Sequence, residues 1–210
     1  MPPRRRLDDV RRPQILAAAV ELLTEEGMSN VRVSDVAERA GTSATSVIYY
    51  FGTKAELFEQ AITQADDAFY AELLADVERL DSGLERLGWL IVSSSAIDWL
   101  LWMDLWVYAR RHPELLEAHQ RFDRRFRDVI ADAIRHGQAR GEFTAADAGE
   151  ASVRISSLMR GLAVHVALGE LDVTAEQMIG HCLEAAAHEL GCELADLQAA
   201  AGRHAERPAA

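Results

Sequence analysis

Residues 43–54 offer hydroxyls, methyls and one ammonium, with no carboxylate among them. Side chains of that kind suit the edges of base pairs in a DNA groove, and an ammonium at a helix start suits a phosphate. Ser43, Ala44, Thr45, Ser46 and Tyr49 are the candidate base-edge readers. Lys54 and Tyr50 are the candidate phosphate contacts, joined by Arg32 and Ser34 just upstream. No Arg, Asn or Gln falls between 43 and 51, so the strongest bidentate base contacts are missing. Specificity is then expected from Thr and Ala methyls against thymine, from hydroxyls and from DNA shape. The plainer reading is a three-helix cap with an idle polar face.

The elements that would position these residues are legible. Val33, Val36, Ala37 and Ala40 recur at i, i+3, i+4 and i+7, one apolar stripe on a short helix. Ala37 and Ala40 are small enough for a second helix to cross close by. Gly41 supplies the backbone freedom for a reversal, and Ser43 can cap the start of the next helix. Val47, Ile48 and Phe51 are expected to face inward, leaving Ala44, Thr45, Ser46, Tyr49 and Tyr50 outward. Together these features describe a helix-turn-helix, the module that lays its second helix in the major groove.

A second cluster lies further on. Trp99, Trp102 and Trp106 recur at i, i+3 and i+7, with Met103 beside them and Trp89 upstream. Phe122, Phe126 and Met159 can complete an aromatic chamber. Such a stripe reads either as plain core or as a ligand cavity. Asp98 and Asp104 bracket the tryptophans. A carboxylate near indole faces would suit a cationic ligand, and two exposed helix-end residues would look the same in sequence. His181, His188 and Cys192 share a helical face but match no metal signature, so no metal is expected. No phosphate loop, Gly-x-Ser-x-Gly elbow or Cys-centred nucleophile motif occurs, so neither an enzyme nor a cofactor is expected. An all-α enzyme using Asp98 or Asp104 remains a rival reading, as does a DNA-binding protein with a filled core and no effector.

The net charge of −12 looks wrong for a DNA binder until it is divided. Residues 1–54 carry net +1 and residues 55–210 net −13, with Arg4, Arg5, Arg6, Arg11 and Arg12 crowding the start. Local potential at the contact face decides phosphate binding. The first three arginines can follow the DNA backbone, enter the minor groove or merely solubilise a tail. The longest apolar run, Trp99 to Met103, is far short of the roughly 20 residues a membrane span takes. No apolar stretch follows the basic N-terminus as a secretory signal would require. A cytoplasmic protein is expected, with no membrane partner. Cys182 and Cys192 would lie about 15 Å apart on one helix, beyond disulfide reach.

Helices are expected over residues 9–26, 54–80, 84–97, 99–111, 114–140, 147–168 and 174–190, besides the helix-turn-helix. Residues 1–8 are read as disordered and 198–210 as a frayed tail. Thr53-x-x-Glu56 and Thr174-x-x-Gln177 are capping boxes.

The segment from Ile15 to Gly27, with the run Tyr49-Tyr50-Phe51-Gly52-Thr53-Lys54-Ala55-Glu56-Leu57-Phe58, resembles the TetR family of one-component transcriptional regulators. The likeness covers residues 11–62. Residues 106–143 resemble the sensor domains of the choline-responsive branch. Two positions depart from the family pattern in the DNA module. Arg32 stands where a capping Thr is common, so Ser29 or Ser34 is expected to cap instead. Ile48 stands where many members carry an aromatic that reaches DNA. In the sensor region Arg160-Gly161-Leu162 replaces a frequent Asp-Gly-Leu.

The resemblance implies an all-α protein: an N-terminal three-helix DNA-binding domain at 1–54, then a larger helical ligand-binding and dimerisation domain at 55–210. It implies a homodimer through the last two long helices, with Val153, Leu158, Leu162 and Val166 on one and Met178, Cys182, Ala185 and Leu190 on the other. The partners implied are a double-stranded palindromic operator and a small effector, aromatic, apolar or cationic, that releases a repressor. The helix over 54–80 is the expected transmitter.

Overall fold

The computed structural model describes residues 4–96, 99–144, 147–169 and 173–203. Among them are ten α-helices and no strand: α1 (Arg4–Glu26), α2 (Val33–Arg39), α3 (Ala44–Phe51), α4 (Lys54–Glu78), α5 (Gly83–Ser93), α6 (Trp99–Ala109), α7 (Pro113–Ala139), α8 (Ala148–Leu168), α9 (Ala175–Leu190) and α10 (Leu194–Gly202). The all-α expectation holds. The chain divides into two compact units, one from Met1–Phe69 with Leu100–Phe122 and the other from Tyr70–Trp99 with Asp123–Ala210.

The first unit is built on one core. Ile15, Ala19, Leu22 and Leu23 of α1 meet Val36 and Ala37 of α2, Val47 and Phe51 of α3, and Leu57, Phe58 and Ala61 of α4. Leu105 and Ala109 of α6 and Leu115 of α7 belong to the same cluster. The stripe predicted on α2 packs as expected, with Val33 and Ala40 partly covered at its edges. Gly41 turns the chain at φ 62°, a left-handed value that favours glycine, while the Thr42 N–H returns to the Ala37 carbonyl at 2.8 Å.

In the second unit two glycines let backbones meet. A methyl group on Gly83 would lie 2.3 Å from the Gly137 Cα, so only hydrogen fits where α5 meets α7. The Glu142 carboxylate accepts the Gly83 N–H at 2.7 Å at that same helix start. Phe143 lies against Gly137, and Leu87, Ile91, Ile130, Ile134, Ile155, Leu183 and Leu190 of the same unit are all buried. Arg154 of α8 donates to Glu189 of α9 at 2.6 Å.

Several boundaries move. Helix α1 begins at Arg4 rather than near residue 9, because Arg and Leu are good helix formers on both sides of Pro13. Helix α5 ends at Ser93 and gives way to a 3₁₀ turn, Ser94–Ala96, short of the predicted 97. Ser94 and Ser95 donate their hydroxyls to the Ile91 and Val92 carbonyls, competing with the helical ladder. Of the tail predicted over 198–210, residues 198–202 are helical instead, and 204–210 lie outside the described residues. Leu197, Ala200 and Ala201 are buried at i, i+3 and i+4, and α10 packs on α5 where Gly88 meets the Ala201 backbone. Cys192 lies beyond the end of α9, and both thiols are free. On α9 the face predicted for a partner subunit is largely intramolecular. Met178, Cys182 and Leu190 are buried within their own unit.

Candidate nucleic-acid interface and effector region

Helix α3 is fixed at both ends. Ser43 accepts the Ser46 N–H at 3.1 Å, capping it as predicted. Val47 and Phe51 are its buried anchors. Ile48, expected beside them, is instead 42% exposed, since it sits about 100° round the helix from Val47, past the rim of the buried face. Ala44 and Thr45 are exposed and Tyr49 is 80% exposed, whereas Tyr50 is half-buried against the core. Ser43 and Ser46 also bond to each other at 2.9 Å, so their hydroxyls are partly spent inside the turn.

Cations flank this face. Arg32 is exposed at the start of α2, where neither Ser29 nor Ser34 caps. The Asp35 carboxylate accepts the Arg32 N–H at 2.8 Å and is itself held by the Ser34 hydroxyl at 3.1 Å. The acid three residues into the helix thus reaches back to the Arg32 N–H, while the Asp35 N–H turns to the Arg32 carbonyl at 3.1 Å in place of a capping side chain. Lys54 opens α4 behind the Thr53–Glu56 box, in which the Glu56 N–H donates to the Thr53 hydroxyl at 3.1 Å and the Thr53 N–H to Glu56 at 2.8 Å. Its ammonium lies 5.1 Å from the Phe58 ring centre and 5.9 Å from that of Tyr108. Burial holds its pKa below the usual lysine value, opposed by the charge of Asp35. Arg11, exposed on α1, donates to the Thr42 hydroxyl at 3.3 Å, and Arg12 lies over the Phe51 ring at 5.4 Å. In sequence these two arginines read only as part of a basic run. Their place early on the predicted first helix, well before its end, is the one signal that could have set them near the turn.

The side chains of Arg4, Arg5 and Arg6 lie outside the described residues. The aromatic residues divide between the units. Trp102, Met103, Trp106 and Phe122 belong to the first, and Trp89, Trp99, Phe126 and Met159 to the second. In the first, Trp102 stacks on Phe122 with ring centres 3.6 Å apart. Trp106 leans on His119, a neighbour the sequence did not suggest, at 6.0 Å. The Trp106 indole N–H is buried with no acceptor among the described residues. A cavity of about 30 Å³ is lined by Val20, Leu23, Met28, Ile62, Ala65, Leu101, Trp102 and Leu105, so only Trp102 of the predicted set borders it. In the second unit Trp89, Trp99, Phe126 and Met159 are all buried, and the Trp99 indole donates to the Ser94 carbonyl at 2.8 Å.

The two aspartates resolve differently. Asp98 lies outside the described residues. Asp104 is no free helix-end acid, because its carboxylate accepts the N–H of Met28, just after α1. Arg160 is half-buried and paired with Asp123, which also meets Arg127 at 3.1 Å. His181 and His188 are exposed, and no cluster of three or more metal-ligating side chains occurs among the described residues.

Comparison with known proteins adds to this geometry. Residues 15–61 match the model for bacterial regulatory proteins of the TetR family, and residues 91–191 match the C-terminal domain of BetI-type transcriptional repressors. The chain belongs to the TetR family. The HTH-type transcriptional regulator BetI of Escherichia coli (strain K12) is 26% identical over 176 residues, covering 79% of this chain and 87% of that protein. A transcriptional regulator of Saccharomonospora viridis, solved in complex with choline, superposes with a TM-score of 0.78 at 26% identity, over 85% of this chain and 96% of the other. A TetR-family regulator from Rhodococcus sp. gives 0.72 at 28% identity, over 86% and 98%. As a TetR-family member the chain is a transcriptional regulator, with a helix-turn-helix of the family's kind in α2 and α3. Among the described residues no helix is long and apolar enough to cross a membrane.

Proposed function

We propose that this TetR-family regulator is a cytoplasmic, non-enzymatic repressor that grips a palindromic operator as a homodimer and leaves it when a small quaternary-ammonium compound binds. Residues 1–54 supply the DNA contacts, and residues 55–210 bind effector and dimerise. The observation that carries the DNA reading is the exposed face of α3, free of carboxylates and flanked by Arg11, Arg32 and Lys54. Arg32, Ser34, Tyr50 and Lys54 hold phosphates, while Ser43, Ala44, Thr45, Ser46 and Tyr49 face the bases.

Trp89, Trp99, Trp102, Met103, Trp106, Phe122, Phe126 and Met159 are the proposed effector contacts. The unpaired Trp106 N–H supports a ligand over a filled core, since a buried donor calls for an acceptor. The choline in the Saccharomonospora viridis relative supports the cationic class, which indole faces attract. One Asp104 oxygen is already engaged by the Met28 N–H, so the indole faces rather than that acid are proposed to hold the cation. The dimer forms through α8 and α9. Val153 and Leu168 are exposed on α8, and a side chain at Gly161 or Gly180 would meet nothing within 4 Å of its own chain.

Effector binding shifts the population toward a dimer whose recognition helices no longer match two half-sites. The test combines fluorescence anisotropy on duplex from the chain's own promoter region with a choline titration. Release of the duplex by choline at moderate salt supports the reading. Binding of choline with unchanged duplex affinity refutes the mechanism.

A further inference from the structure

Resting on the DNA-binding reading above, we propose that this regulator identifies its operator chiefly through thymine 5-methyl groups, with Ile48 the residue that decides specificity. Ala44, Thr45, Ile48 and Tyr49 lie at i, i+1, i+4 and i+5 and are all exposed, so one face of α3 presents two methyls, a branched hydrocarbon and a ring. Ile48 stands open on that face, although Val47 beside it is fully buried.

The polar readers on this helix are few. It has no Arg, Lys, Asn or Gln to grip guanine or adenine edges in bidentate fashion. Ser43 and Ser46 are bonded to each other, and Ser43 also takes the Ser46 N–H. That leaves the hydroxyls of Thr45 and Tyr49. The major groove holds one apolar feature among its base edges, the thymine methyl, and an apolar helix face discriminates by burying it. The occupant is DNA rather than another protein, because the helix carries no carboxylate, Arg11 donates to the Thr42 hydroxyl in the turn that precedes it and Lys54 opens the helix that follows it, two cations that complement phosphate.

The experiment uses the full-length protein. Tight-binding duplexes are selected from a randomised pool, and the winner is resynthesised with deoxyuridine in place of thymidine, which removes only the methyls. The native protein should bind the uridine duplex roughly tenfold more weakly, from about one methyl contact per half-site. Ile48→Ser should bind both duplexes alike and keep the native salt dependence, since phosphate contacts are untouched. Ile48→Val should retain part of the preference. Equal binding of the two duplexes by the native protein, a thymine-free selected site, or an Ile48→Ser variant with full preference would each overturn the inference while leaving DNA binding intact. Failure to bind any duplex at low salt would overturn both.

Discussion

Replacing Asp104 by alanine should destabilise the protein and weaken its response to effector together. The Met28 N–H comes directly after Gly27, which ends α1 at φ 78°, and Met28 is fully buried. Its acceptor is the Asp104 carboxylate on α6. Alanine leaves that buried donor unpaired and removes a charge-assisted bond, at a cost of about 2–3 kcal/mol. Asparagine keeps an oxygen in reach and should cost about 1 kcal/mol. With a urea dependence of about 2 kcal/mol per molar, the alanine variant loses roughly 1 M in midpoint and the asparagine variant about half that. Tryptophan fluorescence at fixed protein concentration reads both, the concentration being held because dimerisation adds to apparent stability. Operator release by choline, followed by anisotropy, reads the coupling. Asp104→Ala within about 0.5 kcal/mol of native, with release undiminished, would show that α6 is not tied to the α1 turn by this bond.

Three other outcomes are expected. Lys54→Gln should weaken binding about equally across duplex sequences and, with one lysine lost from each protomer of the dimer, reduce the slope of log affinity against log salt by about two, as measured by anisotropy over a salt series. A Gly161→Leu, Gly180→Leu double variant should sediment as a monomer with native helix content, because a Cβ at either position points into open space on its own chain; a dimer would place the subunit contact elsewhere. Burial pushes the Cys182 thiol up to about 11 from an ordinary value near 9. The native state therefore holds that proton while the unfolded state releases it, and stability falls as pH rises from about 9 to 11, by roughly 2 kcal/mol at pH 10.5. Comparing urea midpoints at pH 8 and 10.5 in native protein and Cys182→Ala isolates that loss, which the variant should lack.

Much of the fold was legible because short-range physics decides it. Gly41 and Ser43 marked the turn, Thr53 and Glu56 the start of α4, and Thr174, Gln177 and Gly191 the limits of α9. What escaped depends on partners distant in sequence. The C-terminal segment read as a tail because Leu197, Ala200 and Ala201 make a weak stripe alone; the stripe counts only once α10 packs on α5, where Ala201 meets the bare backbone of Gly88. The dimer face read from α9 failed for the same reason, since an apolar helix face does not announce which neighbour it serves. The start of α2 was misjudged from a family habit, since no serine caps it and Asp35 three residues on takes the Arg32 N–H instead. Ile48 sits at an amphipathic boundary, where periodicity in an eight-residue helix cannot choose inside from outside.

The compact units bear on which helix carries the signal. Sequence pointed to α4 alone, as the continuous segment leaving the DNA module. Yet α6 and the first part of α7 share one core with α1 to α4, through Leu105, Ala109 and Leu115. Asp104 adds a directional bond from α6 to the residue just past α1's closing glycine. Close-packed interiors pass displacement on rather than absorb it, so α6 cannot shift without moving the support of α2 and α3. A small apolar cavity borders Trp102 within that core. Trp102 also stacks on Phe122, so a ligand that engages this stack acts on a side chain already seated between α1, α4 and α6. Filling the cavity tests this directly. Ala65→Val should narrow the void and reduce the effector's leverage on operator binding while leaving the melting temperature near native, and full leverage in that variant would return the role of transmitter to α4.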